Sequence, residues 1–374
     1  MEKLFTVLAI NPGSTSTKLA IYSESGEIWR KSISHDTTLL SRYREVADQL
    51  EFRKRAVLES IEEVEGFSLK DLKAVVARGG LLRPLKGGVY RVNEYMKNDL
   101  RTARYGSHAS NLGALIADEI AKTVGVEAFI VDPVVVDELS PLARYSGIPE
   151  IPRKSIFHAL NQKASAKKAA RELGKSYGEC NLIVAHMGGG TSIGIHHNGR
   201  VVDVNNALDG DGPFSIERAG TVPAGDWMRY VLSHSHDAAA LQKKLTGRGG
   251  VVAYLGTNDA QRIEAAIAAY RRGEEANNSD GLDGKRCLEV MQALCYQISR
   301  EIASLAAVVN GKVDAVVLTG GLARSDFVVS EIKNRVSFLG RVIVYPGENE
   351  LQALSEGVIE ALKGNEEIQE YCPS

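Results

Sequence analysis

The chain has 374 residues, of which 44% are hydrophobic and 25% charged, and a formal net charge of −2. That length is generous for one core and comfortable for two, and the balanced charge gives no electrostatic footprint for nucleic acid or an anionic membrane. Four cysteines (Cys180, Cys287, Cys295 and Cys372) show neither metal-ligand nor redox spacing, no apolar run reaches spanning length, and the first residues lack a signal-peptide pattern, so a soluble, cytoplasmic protein is expected.

In chain order, residues 5–11 read as a buried strand, followed by the turn Pro12-Gly13-Ser14-Thr15-Ser16-Thr17 and strands at 19–22 and 27–34. A helix is expected over 39–64, a strand at 74–77 running into Arg78-Gly79-Gly80, a helix at 109–124 and a strand at 128–132. Four prolines between 133 and 154 mark an irregular connection, and a helix follows over 160–173.

The pattern then begins again. A strand at 182–186, the turn Gly188-Gly189-Gly190-Thr191-Ser192, a strand at 193–196, the hairpin signal Asn198-Gly199 and a strand at 201–204 repeat the opening unit. In this alignment Gly13 matches Gly188, and Ser16-Thr17 matches Thr191-Ser192. Two such units in one chain imply a duplicated α/β pair. Beyond them lie a long apolar-striped helix at 286–309, a strand at 313–318 ending in Thr319-Gly320-Gly321, a strand at 341–345 and a helix at 350–362.

The turns suit anions. Gly13 admits close backbone approach, Ser14 and Ser16 offer hydroxyls, and Lys18 adds a point charge, although the P-loop register is absent. Three successive glycines at Gly188, Gly189 and Gly190 carry an entropic cost that a plain hairpin seldom bears. The strand–Gly320-Gly321–helix corner is common packing on its own.

Taken together, Asn11-Pro-Gly-Ser-Thr-Ser-Thr-Lys18, Arg78-Gly-Gly-Leu-Leu-Arg-Pro84, His186-Met-Gly-Gly-Gly-Thr-Ser-Ile-Gly194, Gly212-Pro-Phe-Ser-Ile-Glu-Arg-Ala-Gly220, Leu318-Thr-Gly-Gly321 and Tyr345-Pro-Gly-Glu-Asn-Glu350 resemble the acetate/butyrate kinase family, nearest its butyrate branch and nearly end to end. The resemblance implies a duplicated actin-like ATPase (ribonuclease H-like) two-domain α/β fold. Its domains would be 1–153 and 154–349, with the stretch from about 350 to 374 returning to the first.

It also implies ATP- and Mg²⁺-dependent, reversible phosphorylation of a short-chain fatty acid to an acyl phosphate, by a homodimer or larger homo-oligomer. Carried over residue by residue, it places Arg78 on the substrate carboxylate, with Arg83 as a rival, and makes His108, Asp132 and His158 active-site groups. Arg218 becomes the transition-state arginine. Asn11, Ser14, Ser16, Lys18, His186, Gly188, Gly189, Gly190 and Thr191 fall around metal and phosphates. Asp259 lies in the adenosine region, Gly320, Gly321, Leu322 and Arg324 on the purine side, and either Glu348 or Glu350 is metal-linked. A carboxylate acceptor is already ionised, so Asp132 is expected to organise water near the metal rather than act as a base. A sugar kinase on the same fold would need that base, and an ATP-binding regulator would need no chemistry at all.

Overall fold

The computed structural model describes residues 5–233, 237–274 and 281–372; His234 and His236, to which the sequence assigns no role, lie outside them. The chain opens with strands β1 (Thr6–Pro12), β2 (Ser16–Ser23) and β3 (Gly26–Ser34), then helices α1 (Thr37–Leu40) and α2 (Leu50–Glu62). Next come β4 (Leu72–Arg78), β5 (Val89–Arg91), α3 (Glu94–Arg101), α4 (Asn111–Val124) and β6 (Glu127–Val131). Helix α5 (Ala159–Glu172) leads to β7 (Asn181–Met187), β8 (Thr191–His197) and β9 (Arg200–Val204). Four helices follow: α6 (Ala224–Ser233), α7 (Ala238–Thr246), α8 (Gly250–Leu255) and α9 (Ala260–Arg271). The chain ends with α10 (Gly284–Leu305), β10 (Ala315–Gly320), α11 (Asp326–Val336), β11 (Arg341–Pro346), α12 (Glu350–Leu362) and β12 (Ile368–Glu370).

Two compact units result, one made of Met1–Asp137 with Asn349–Ser374 and the other of Glu138–Glu348. The first holds a seven-stranded sheet in the order β12-β5-β6-β4-β1-β2-β3, the second a five-stranded sheet in the order β11-β10-β7-β8-β9. In each, the leading strand lies parallel to the next in the sheet (β1 with β4, β7 with β10) and antiparallel to its own hairpin partner. β6 and β11 extend the parallel side, and β3 and β9 the antiparallel side, so five strands repeat with the same directions. β1 is buried along its whole length, as a central strand covered on both faces must be, whereas β3 alternates exposed and half-buried residues at the sheet edge.

Register refines the internal alignment. The turns close through Gly13 N–H to Ser16 O (2.8 Å) and Gly188 N–H to Gly190 O (3.0 Å), between the pairs Pro12↔Thr17 and Met187↔Thr191. The first turn is one residue longer, so Thr17-Lys18, not Ser16-Thr17, stands where Thr191-Ser192 stands in the second unit.

The helix expected over 39–64 is broken. A capping box at Glu45 and Asp48, in which Glu45 N–H donates to the Asp48 carboxylate (3.0 Å), starts a separate turn at Val46–Gln49, and α2 begins only at Leu50. The stripe of α10 is core as its spacing predicts, with Val290, Met291, Leu294, Ile298 and Ile302 all buried. Burial pushes the Cys295 thiol on that helix up to about 12, which makes it inert at neutral pH. The stretch 138–153 is held to the second unit, where Ser140 N–H donates to Val202 O and Arg153 pairs with Asp203 at 2.8 Å.

Candidate active site

In the first unit the adjacent parallel strands β1 and β4 bring Asn11 and Arg78 to one end of the sheet. Glu350, in the first turn of α12, meets both: Asn11 Nδ2 donates to its Oε2 at 2.5 Å, and Arg78 Nη1 stands 3.1 Å from its Oε1. Asn11 Oδ1 is buried and has no hydrogen-bond partner. Lys18, directly across the hairpin from Asn11, is exposed and makes no ion pair among the described residues. Arg83 goes elsewhere, with its guanidinium 5.2 Å from the centre of the Tyr371 ring.

His108 is fixed by its neighbour. Ser110 N–H donates to Nδ1 (3.1 Å), so in the neutral ring the proton sits on Nε2. Although the ring reaches solvent, the protein packed around it and the Arg78 charge lower its pKa, favouring that neutral donor form. Asp132 follows β6, beside the end of β4, and is buried. Its Oδ1 accepts from Gly88 N–H (2.7 Å), and its backbone is left-handed at φ 38°, a strained state for a residue preceding proline. Of the three valines after Pro133, Val136 is fully buried and bridges to Leu85, and Val135 packs on the core of this unit. Val134 is half-buried.

In the second unit β7 and β8 carry the glycine turn. Gly189 O accepts from Ser215 Oγ (2.6 Å) and Glu217 N–H (3.1 Å), and the Gly189 and Gly190 N–H groups have no protein partner among the described residues. Arg218 lies against the turn so closely that a Cβ on Gly190 would stand 2.2 Å from its Nη1. Among the described residues the one hydrogen bond of that guanidinium goes to a neutral carbonyl, Ala207 O, and burial lowers its pKa.

Behind the turn runs a buried polar relay. Gln162 Nε2 donates to Ser192 O (3.0 Å) and Ser192 Oγ (2.8 Å), which orients the amide and leaves its Oε1 to accept from His196 Nε2 (3.2 Å). Tyr177 O–H then donates to His196 Nδ1 (2.8 Å). Ser192 Oγ, accepting from Gln162, turns its own proton to His158 Nδ1 (2.9 Å), so neutral His158 presents Nε2–H. His158 stacks on His186 with ring centroids 3.8 Å apart. His186 Nδ1 donates to Asn161 Oδ1 (2.8 Å), while its Nε2 makes no well-aligned hydrogen bond, with Glu348 Oε1 3.0 Å away.

Farther along, Gly320 (φ 90°) packs so tightly on Met187 that a Cβ would stand 2.4 Å from Met187 O. Gly321 is open, Leu322 buried, and exposed Arg324 lies against Gly347. Asp259 caps α9, accepting from the N–H groups of Gln261 and Arg262. Sequence reading missed Arg53, Asn161, Gln162 and His196. Of these only Gln162 left a signal, because its spacing of four from His158 puts both on one helical face.

Buried polar atoms normally find partners. Among the described residues four buried side-chain atoms do not: Asn11 Oδ1, Arg83 Nε, His186 Nε2 and Thr191 Oγ1. Asn11, His186 and Thr191 belong to the predicted site, and Arg83 is the named rival for the carboxylate.

The comparisons with known proteins point the same way. The chain is 47% identical over 367 residues to butyrate kinase 2 of Clostridium acetobutylicum, covering 98% of this chain and 99% of the relative. With butyrate kinase 1 of the same organism it shares 47% over 368 residues, 98% of this chain and 100% of the relative. The crystal structure of Porphyromonas gingivalis acetate kinase superposes with a TM-score of 0.72 at 18% identity, over 95% of this chain and 99% of the other, which establishes the duplicated actin-like fold. Residues 149–363 match the model of the acetokinase family, and with two relatives aligned from end to end the chain belongs to that family.

Proposed function

We propose that the protein transfers the γ-phosphoryl group of ATP directly and reversibly to the carboxylate of butyrate or a branched short-chain fatty acid, forming the acyl phosphate. The observation that carries this reading is the full-length identity to two butyrate kinases. The two units are its functional domains, the first supplying groups for the acid, the metal and the phosphates, the second groups for the phosphates and the adenosine.

At neutral pH the acid is already ionised, so no base is required. A carboxylate oxygen attacks the γ-phosphorus in line, the bond from phosphorus to the bridging oxygen breaks, and that oxygen leaves on ADP with the electron pair. The obstacle is the approach of two anions, which fixed cations and N–H dipoles lower. Arg78 binds the acid; the Glu350 carboxylate it now holds has the same chemistry as the substrate that would replace it. His108 and His158 donate Nε2–H to phosphoryl oxygens, and Arg218, whose bond goes to a neutral acceptor, meets the charge that develops there. The turns at 13–17 and 188–191 take the phosphates, and Asp259 with Gly320, Gly321, Leu322 and Arg324 the adenosine. Asp132, fixed by Gly88, organises water beside them.

Among the described residues no group of three or more His, Cys, Asp and Glu could hold a metal unaided. Mg²⁺ nonetheless fits, because it typically takes one or two protein oxygens and completes its shell with phosphates and water. Asn11 Oδ1, buried and without a partner, and the Glu350 carboxylate beside it would hold the ion. When bound, Mg²⁺ supplies neutralising charge at the phosphates. Glu348, exposed against His186, is the lesser candidate.

No helix of the described residues is long and apolar enough to cross a membrane. A cytoplasmic homodimer or larger homo-oligomer completes the proposal, and a monomeric mass in light scattering would remove the assembly. The reaction is tested by incubating the protein with ATP, Mg²⁺, hydroxylamine and butyrate. Acyl hydroxamate is expected, and its absence across a panel of short acids, with ATP shown to bind, would contradict the reading.

A further inference from the structure

Arg53, on α2, is only 1% exposed. Its Nε donates to Gln49 Oε1 (3.0 Å) and its Nη2 to Ser14 O (3.0 Å). Its Nη1 donates to Gly13 O (2.8 Å), Ser16 O (3.2 Å) and Thr17 Oγ1 (3.3 Å). All of these acceptors are neutral. Burial lowers the pKa, but a guanidinium does not give up its proton near neutrality, so a full positive charge lies inside the first unit with no carboxylate among the described residues to answer it.

The geometry around it is one-sided. Thr15 O accepts from His35 N–H (2.8 Å), so all four carbonyls from Gly13 to Ser16 are turned to donors inside the unit. Ser14 and Thr15, both exposed, leave their N–H groups without a protein partner among the described residues. The carbonyl ends of the turn face in and amide ends face out, with a buried cation beneath. Such an arrangement favours an anion on the outer side.

We infer that Arg53 is the positioning residue of the first turn: it draws the carbonyls inward, keeps the amides available to a phosphate group, and supplies a buried charge that the nucleotide's phosphates answer. The inference rests on the proposed kinase reaction. A residue that only pinned α2 to the hairpin would affect folding without distinguishing between the two substrates.

The test compares Arg53→Gln and Arg53→Lys with the wild type. KM is measured for ATP and for butyrate, together with the rise in Tm that saturating ATP gives each protein. Arg53→Gln is expected to raise KM for ATP at least tenfold, to leave KM for butyrate within threefold, and to lose most of the ATP-induced rise in Tm. Arg53→Lys, which keeps the charge without the fork, should recover part of both losses. A folded Arg53→Gln with wild-type KM for ATP and a wild-type ATP-induced rise would overturn the inference. If the Gln variant does not fold, Arg53→Lys decides: a KM for ATP raised threefold or more with KM for butyrate unchanged supports it, and unchanged values overturn it. If the wild type makes no hydroxamate, the kinase reading fails, and the ATP-induced Tm comparison still judges Arg53.

Discussion

The two glycine turns share one backbone plan and rest on different supports. Beneath the first lies a buried charge, Arg53, bonded only to neutral groups. The Gly189 carbonyl of the second is held by a hydroxyl and a backbone N–H, a chain of neutral amides and imidazoles runs behind the turn, and its nearby cation, Arg218, lies against the turn. Duplicated strands can therefore expose similar N–H groups while the electrostatics diverge. The cation of the first turn lies buried beneath it, and that of the second lies against the turn itself.

Adding one methyl group to each turn breaks that symmetry most sharply. Gly190→Ala would place a Cβ 2.2 Å from Arg218 Nη1, and a flexible side-chain end yields by moving. We expect kcat to fall by about 10²–10³, the scale of losing one transition-state donor, with little change in Tm. Gly13→Ala meets only Ser16 O and Ser16 Oγ, both at 3.6 Å, an ordinary contact, so near-wild-type kinetics are expected. Steady-state kinetics and thermal melts of the pair check both halves.

Cutting the neutral relay comes next. Gln162→Leu removes the acceptor of His196 Nε2 and one donor each from Ser192 O and Ser192 Oγ in a fully buried setting, and an unpartnered buried group costs about 1–3 kcal/mol. Denaturant unfolding should show that loss, and kcat should fall with it because Ser192 Oγ, no longer accepting from Gln162, is less firmly set to turn its proton to His158 Nδ1. Unchanged stability would mean that the relay is not the support described.

Acid should act on both units. Burial lowers the pKa of His35 in the first and, far more strongly, of His196 in the second. Above the unfolded pKa of about 6.5 neither state holds the extra proton, so their contribution is fully present. As pH falls below about 6.5 the unfolded chain takes up protons that the folded rings refuse. Stability should then drop by up to about 1.4 kcal/mol per pH unit for each ring, until its folded pKa is reached. His196→Gln should flatten this slope in urea melts from pH 7 to pH 5.

How much of this was legible in the sequence depended on whether a feature was local. Glycines beside hydroxyls mark both turns, and the alternation of strand and hairpin revealed the repeat, because those signals lie within a few neighbouring residues. The one-residue offset between the turns was hidden, since hydroxyl pairs align equally well either way until strand register is known. Arg53 sits on a helix where arginine reads as a solvated face, and three of its five acceptors are backbone carbonyls about 40 residues away that carry no sequence signature. The sequence gives no sign of a role for His196, because its hydrogen-bond partners Gln162 and Tyr177 lie on other elements. The helix expected from residue 39 failed where local side chains took backbone donors, a competition that periodicity does not record.

The smallest effect is also the most direct test of what the protein does: kcat/KM for acyl hydroxamate formation with acetate, propionate, butyrate and isobutyrate at saturating ATP and Mg²⁺. Each buried methylene contributes roughly 0.8 kcal/mol, so two give about 1.6 kcal/mol, and butyrate should exceed acetate on the order of tenfold. The predicted result is a graded rise from acetate through propionate to butyrate or isobutyrate. A maximum at acetate would contradict it, showing an acyl pocket closed near the carboxylate.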